Sequence, residues 1–272
     1  MRTATNQRFP GRSASSLLGA LLLGSSVLVG ACGTGVYGYG APGGSAAQSA
    51  PAPASPAIAG ALQNDFVNVV SDVAPSVVVI ETGRALGSGV VFDGKGHIVT
   101  NHHVVDGGTS FMVTLADGRQ FPGTLVGVYP AGDLAVVHVN GMDLKPARFG
   151  DSAKLAVGDI VLAVGSPLGF QGSVTQGIVS ALGRKVPESK TVTLPNLIQT
   201  SAEINPGNSG GALVDLAGEV VGIPTLAALD PEFGNAPASG IGFAIPSRVV
   251  VDVANQLIAN GRVVNEPAAA AP

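Results

Sequence analysis

Residues 76–105 read SVVVIETGRALGSGVVFDGKGHIVTNHHVV. Three short apolar runs, 76–81, 89–92 and 97–100, are rich in Val and Ile and are parted by glycines and the turn pair Asp93-Gly94. Runs of this length and composition between turn signals read as β-strands rather than helix. The same texture continues outward through 111–115, 123–128 and 134–139, with Asp117-Gly118 as a further turn. After a connecting stretch near 140–157 a second set follows: 160–164, 173–181, 191–199, 212–215, 219–223 and 241–244. Two sets of about six short strands predict an all-β fold of two six-stranded antiparallel barrels, the first over about 76–140 and the second over about 157–246.

A helix is expected at each end. Leu62, Phe66, Val69, Val70 and Val73 recur at helical spacing until Pro75 stops them. Another helix begins near Ser247, carries Val249, Val250, Val253, Leu257 and Ile258 on one face, and ends at Gly261. The folded domain is therefore placed at 61–264, and the tail 265–272 is expected to be disordered. Composition agrees. Of 272 residues only 12% are charged, while 39 are Gly and 19 Pro, which argues against a coiled coil or helical repeat. A hydrophobic content of 46% supports a core.

The N-terminus reads as an export signal. Residues 1–16 hold Arg2, Arg8 and Arg12 and no acid, and 17–29 are almost wholly apolar but too short to span a bilayer. No Arg-Arg pair precedes that run, which argues against twin-arginine export. The junction Val29-Gly30-Ala31-Cys32 resembles a bacterial lipobox, with 1–31 removed and Cys32, the only cysteine, lipid-modified. Ordinary cleavage after Ala31 is the alternative. Residues 33–60 are low-complexity Gly, Ala, Pro and Ser and read as a disordered tether. A formal Gly-x-Gly-x-x-Gly at 33–38 has no strand before it or helix after it and is dismissed as a nucleotide fingerprint. Loss of three arginines from 14 basic residues leaves 11 against 18 acids. A chain this acidic has no electrostatic footprint for nucleic acid.

Three segments carry chemistry: Thr100-Asn101-His102-His103-Val104-Val105, Gly132-Asp133-Leu134-Ala135-Val136-Val137, and Ile204-Asn205-Pro206-Gly207-Asn208-Ser209-Gly210-Gly211-Ala212-Leu213. A serine that attacks a carbonyl needs a base for its proton, an acid to orient that base, and backbone N–H groups for the developing oxyanion. Glycines on both sides of Ser209 let the backbone approach that closely. Taken alone, each element has a plainer reading: a glycine-flanked serine in a turn, a turn aspartate at Asp133, two competing histidines at 102 and 103. His97 and His138 fall in strands and read as structural. The His102-His103 pair has no nearby third ligand, and no Cys/His pair has zinc spacing, so neither metal nor cofactor is expected.

Together the three segments resemble the HtrA/Deg family of trypsin-fold serine proteases. The likeness covers about 75–265 and includes Gly87-Ser88-Gly89-Val90, Gly96-His97-Ile98-Val99-Thr100-Asn101, Val157-Gly158-Asp159, the run from Gly177 to Gly183, Ile198-Gln199-Thr200, and the run from Gly240 to Ser247. The family pattern T-N-x-H-V-V assigns His103, with His102 filling the variable position. The resemblance implies Ser209 as nucleophile, His103 as general base and Asp133 as its orienter. It implies an oxyanion hole from the N–H groups of Gly207 and Ser209, helped by Asn208. By position Ile204, Ala228 and Ile241 line the primary pocket, which favours cutting after small or medium apolar residues. Glu203 stands where trypsin-like enzymes place the residue at the pocket base; it either attracts basic side chains or points to solvent.

The sequence departs from the family pattern in several places. No PDZ module is expected after the last helix. Ser201 replaces the usual aspartate of T-D-A, and Pro224 replaces the asparagine of G-I-N-T, which puts the pairing of substrate with this segment in doubt. Residues 225–240 are expected to be a mobile loop. The resemblance also suggests a homotrimer built through the N-terminal part of the domain, for which Phe66 and its helix are candidates. The function expected is a membrane-anchored endopeptidase of the cell envelope, outside the cytoplasm, acting on unfolded or misfolded polypeptides. The rivals are a chaperone-like binding lipoprotein that does not cut, and a latent processing protease with one substrate.

Overall fold

The structure is a computed structural model. It describes residues 56–83, 85–108, 110–140, 144–165, 173–189, 191–205, 207–230 and 236–267. The expected signal 1–31, Cys32 and most of the tether lie outside these residues, as does the last part of the tail. The tether prediction is too long at its C-terminal end, because α1 (Pro56–Val73) already begins at residue 56.

Twelve strands follow, in two closed rings of six. The first holds β1 (Val77–Glu81), β2 (Leu86–Val91), β3 (His97–Thr100), β4 (Ser110–Thr114), β5 (Gln120–Tyr129) and β6 (Leu134–Val139), ordered 1-2-3-6-5-4. The second holds β7 (Ile160–Gly165), β8 (Ser173–Pro187), β9 (Thr193–Thr200), β10 (Ala212–Val214), β11 (Val220–Asp230) and β12 (Ala236–Pro246), ordered 10-11-12-9-8-7. All strand pairs are antiparallel. A single turn of helix, α2 (His102–Val105), interrupts the first barrel after β3, and α3 (Ser247–Asn260) closes the domain.

Burial explains why so many strands read as continuous Val/Ile runs. Each barrel has a filled interior: Val78, Ile80, Ile98, Val113 and Val137 in the first, Val161, Ala163, Val179, Ile198 and Leu213 in the second. Alternate residues on the same strands, such as Val77, Val90, Val136, Leu162, Val164 and Ile223, face a third cluster shared by both barrels and the two terminal helices. Strands buried on both faces lose the polar alternation of a half-solvated sheet. Helix α3 seals the shared cluster with Val250, Val253, Ala254 and Leu257, and Gly261 caps it with φ +68° and an N–H bond to the Leu257 carbonyl of 2.8 Å. On α1, Val69 and Val73 are buried and Phe66 packs against the same cluster, whereas Leu62 is exposed.

Two expectations are corrected. Residues 225–240 form a hairpin over most of their length, since β11 and β12 stay paired out to Leu229↔Pro237 and Asp230↔Ala236. Backbone pairing between two strands supplies order that a local Gly/Pro count does not register. The expected disordered tail is held at its start: Gln256 bonds the backbone of Val264 and Asn265, and Glu266 accepts from the Tyr129 hydroxyl at 3.0 Å.

Candidate active site

The first barrel supplies a histidine and an aspartate. His103 sits on α2, which the buried Val104 and Val105 pin to the barrel. Asp133 follows a short 3₁₀ turn in the left-handed region at φ +48° and precedes β6. That conformation turns its fully buried carboxylate back toward α2. Oδ1 accepts the His103 backbone N–H at 3.0 Å, and Oδ2 accepts His103 Nδ1–H at 2.8 Å. Asn101 Nδ2 donates to the Asp133 carbonyl at 3.0 Å, so the segment is held from both sides. With Nδ1 engaged, Nε2 is the ring nitrogen left to act on a substrate. Burial disfavours the imidazolium, but the Asp133 hydrogen bond and charge, aided by Glu188, outweigh it and hold His103 above its ordinary value.

The second barrel supplies the serine. Its loop bends through Gly207 at φ +103° and Gly210 at φ +81°. At Gly210 a Cβ would lie 2.3 Å from the Ser88 carbonyl oxygen and 2.5 Å from Thr100 Oγ1, so only glycine lets the loop seat on the first barrel. Ser88 bolts the two barrels together there: its N–H donates to the Ser209 carbonyl at 2.9 Å and its hydroxyl to the Gly207 carbonyl at 2.6 Å. Among the described residues, the N–H groups of Gly207 and Ser209 have no protein acceptor. Asn208 is different, and its expected share in an oxyanion hole is corrected. Its N–H is spent on the Asn205 carbonyl at 3.1 Å. Its side chain spans the loop, donating to the Glu203 carbonyl at 3.2 Å and accepting the Asn205 N–H at 3.1 Å. It braces the turn and is not among the residues that line the cleft.

Thr225 joins the two halves. The partner register on β12 steps from Pro224↔Ala244 to Leu226↔Phe243, so Thr225 is the extra residue of a bulge. The bulge aims its buried hydroxyl at Asp133 Oδ2, 2.5 Å away, and its carbonyl at the Ser209 hydroxyl, 3.3 Å away. The Ser209 hydroxyl thus donates to Thr225 among the described residues. Pro224, which has no N–H, is accommodated beside the bulge, and its carbonyl accepts from Gly210 at 2.9 Å. Ser201 does local work instead of an aspartate: its hydroxyl accepts the Ile178 N–H at 3.0 Å.

His103 and Ser209 line one cleft of about 470 Å³, together with Val186, Pro187, Glu188, Ile204, Asn205 and Thr225 through Ala228. Of the four residues expected to form a primary pocket, Ile204 and Ala228 are in this lining, and Glu203 and Ile241 are not. Ile204 packs so tightly on Gly242 that a Cβ there would meet its Cγ1 at 2.3 Å, which leaves the pocket floor apolar. Glu203 is exposed and accepts the Ser239 hydroxyl at 2.5 Å. Ile241 is 39% exposed at the rim of β12.

Sequence reasoning missed Ser88, Thr225 and Glu188. Thr225 carries no motif, and Ser88 enters the sequence reading only as part of the Gly87-Ser88-Gly89-Val90 likeness, with no role; the crossing of two barrels brings them to Asp133 and Ser209. Glu188 stands just past β8, with its Oε1 4.0 Å from His103 Nδ1. Burial and the Asp133 charge push its carboxyl up to about 7, against the opposing pull of His103. The ligand atoms of His103, Asp133 and Glu188 lie within 4.8 Å of one another. In this set His103 Nδ1 and both Asp133 oxygens are already engaged in hydrogen bonds, so a cation would have to break that network to enter.

A trypsin-like peptidase domain model matches residues 87–223. The periplasmic serine endoprotease DegP of Escherichia coli K12 is 49% identical over 181 residues, 66% of this chain and 37% of that protein. This chain belongs to the HtrA/Deg family of trypsin-like serine proteases. A probable periplasmic serine protease of Haemophilus influenzae, do/HhoA-like, is 47% identical over 182 residues, 66% of this chain and 38% of that one. The chain thus spans little more than a third of the curated relatives it matches. The solved structure of the HtrA-type protease AlgW with a tripeptide superposes with a TM-score of 0.67 at 41% identity, covering 73% of this chain and 65% of that one. The matched residues 87–223 include His103, Glu188, Ile204 and Ser209 of the cleft, and Thr225 to Ala228 follow just beyond them. No helix among the described residues is long and apolar enough to cross a membrane.

Proposed function

We propose that this chain is a serine endopeptidase that cleaves unfolded or misfolded polypeptides of the cell envelope through an acyl-enzyme. The observation that carries the reading is the bond of His103 Nδ1 to the buried Asp133, with Nε2 left free in the cleft that Ser209 lines. In the reaction, Ser209 Oγ adds to the scissile carbonyl carbon while His103 Nε2 takes its proton. The carbonyl oxygen becomes an oxyanion held by the N–H groups of Gly207 and Ser209. The imidazolium, supported by Asp133, gives its proton to the leaving amine as the C–N bond breaks. Water, deprotonated by His103, then releases the acid and restores Ser209. The apolar floor at Ile204 and Ala228 supports cleavage after small or medium apolar residues. Export, a lipid anchor on Cys32 and assembly into trimers belong to the same proposal, on the N-terminal sequence and the family likeness.

A peptidyl phosphonate should label the full-length chain covalently, and Ser209→Ala should abolish the label. Labelling that survives the substitution refutes the assignment. The latent and non-cutting readings draw on the Ser209 hydroxyl lying on the Thr225 carbonyl instead of His103. A latent enzyme gives no label alone and gains it when an activator that leaves the cleft open is added. A pure binder suppresses client aggregation equally in wild type and Ser209→Ala, with no label and no fragments.

A further inference from the structure

The cleft has two walls. Its floor runs from Ser209 along Thr225, Leu226, Ala227 and Ala228 of β11. The β11 edge that carries these residues is not paired to β10, whose partners stop at Gly222. An extended peptide laid along that edge sends successive side chains to opposite sides. If the residue under attack points toward Ile204 and Ala228, the residue before it points the other way. There it meets His103, Val186, Pro187 and Glu188.

That second wall is short of positive charge. It holds the Glu188 carboxyl, with the buried Asp133 carboxylate behind it, against one imidazole that must be neutral to work as a base. Among the described residues no Lys or Arg pairs with Glu188. Arg184, a few residues earlier on β8, is engaged with Gln199 at 2.8 Å. The position of Glu188 is fixed by the β8–β9 turn, where the N–H groups of Glu188 and Ser189 both donate to the Val192 carbonyl, at 3.0 and 3.2 Å. Its side chain is only 16% exposed, so little solvent is left to screen it.

We propose that Glu188 is a specificity-determining residue, whose carboxylate forms an acidic subsite beside His103 and selects a Lys or Arg immediately before the substrate residue that Ser209 attacks. Burial and then the Asp133 charge push the Glu188 carboxyl up to about 7, and a basic substrate side chain opposes that push and favours the carboxylate. Val186 and Pro187 flank it with apolar surface suited to the methylene stem of such a side chain. The inference rests on the endopeptidase reading above.

The test uses two phosphonates that differ only at that one residue, Lys in one and Leu in the other, on the full-length chain. The ratio of their inactivation rates is the readout. Wild type should favour Lys by about fivefold to tenfold, the range of a well-screened to partly buried ion pair. Glu188→Gln, nearly isosteric, should bring the ratio close to one. Glu188→Lys should reverse it, so that Leu is favoured over Lys. A ratio unchanged by Glu188→Gln, with Ser209-dependent labelling intact, overturns the subsite alone. Absence of Ser209-dependent labelling by both phosphonates overturns the endopeptidase reading and this inference with it.

Discussion

Replacing Thr225 by valine keeps the shape of a buried, β-branched residue and removes one hydroxyl. That hydroxyl is one of three donors to the Asp133 side chain, the others being His103 N–H and Nδ1–H. Asp133 is 0% exposed, so no water replaces the lost donor. A hydrogen bond to a charged group is worth about 1.5–3 kcal/mol, and one more buried methyl returns about 0.8 kcal/mol. The net cost is about 1–2 kcal/mol. For a domain of this size that lowers the melting temperature by about 2–8 °C. The two bonds to His103 remain, so the imidazole keeps its orientation, and phosphonate labelling should slow by about tenfold or less. That contrasts with about 10⁴ in turnover for loss of the aspartate carboxylate in serine-protease triads generally. Thermal and urea unfolding of Thr225→Val beside wild type, with labelling rates on both, measure each part. A variant as stable as wild type would show that the bulge does not hold the carboxylate, and the argument fails.

Three further expectations follow from the same site. Asp133 and Glu188 hold His103 above its ordinary value of about 6.5, so a higher pH is needed to free Nε2; labelling should fall to half at a pH above 6.5, and a half-point at pH 6 or below contradicts the geometry. By the same linkage, the stability that His103 contributes is fully present below about 6.5 and is lost as pH rises through its raised folded value. Gly210→Ala must place a methyl 2.3 Å from a carbonyl oxygen at φ +81°; it should cost several kcal/mol and yield little folded protein, and normal circular dichroism with a wild-type melting temperature would refute the packing at Ser88.

Much of the fold was legible because its strands bury both faces. The runs at 77–80, 97–100 and 134–139 stand out as Val/Ile blocks between Gly and Asp-Gly turns, and each is a strand within a residue or two. Less legible were elements whose order comes from a partner. The hairpin of β11 and β12 has a Gly/Pro/Ala composition that reads as loop, and its pairing holds it. Leu62 fits a helical stripe but faces outward, since α1 begins too far from the core for its first turns to be covered. The three segments carrying His103, Asp133 and Ser209 were visible from residue type and flanking glycine. Position along the chain did not reveal that Glu203 turns to the Ser239 hydroxyl or that Ile241 stays exposed, outside the cleft lining.

By itself the sequence determined the family likeness, the two-barrel class and the segments able to carry an acyl transfer, since strand length, turn chemistry and glycine-flanked serine are local properties. Only the tertiary structure decided the electrostatics. The single donor hydroxyl of Thr225, the bracing role of Asn208 and the approach of Glu188 to His103 depend on a bulge, a loop and a hairpin turn that meet across the junction of two barrels. Distances of 2.5–4.0 Å between residues far apart in the chain set those interactions, and hydrogen bonds and charge fall off too steeply with distance for sequence order to stand in for them.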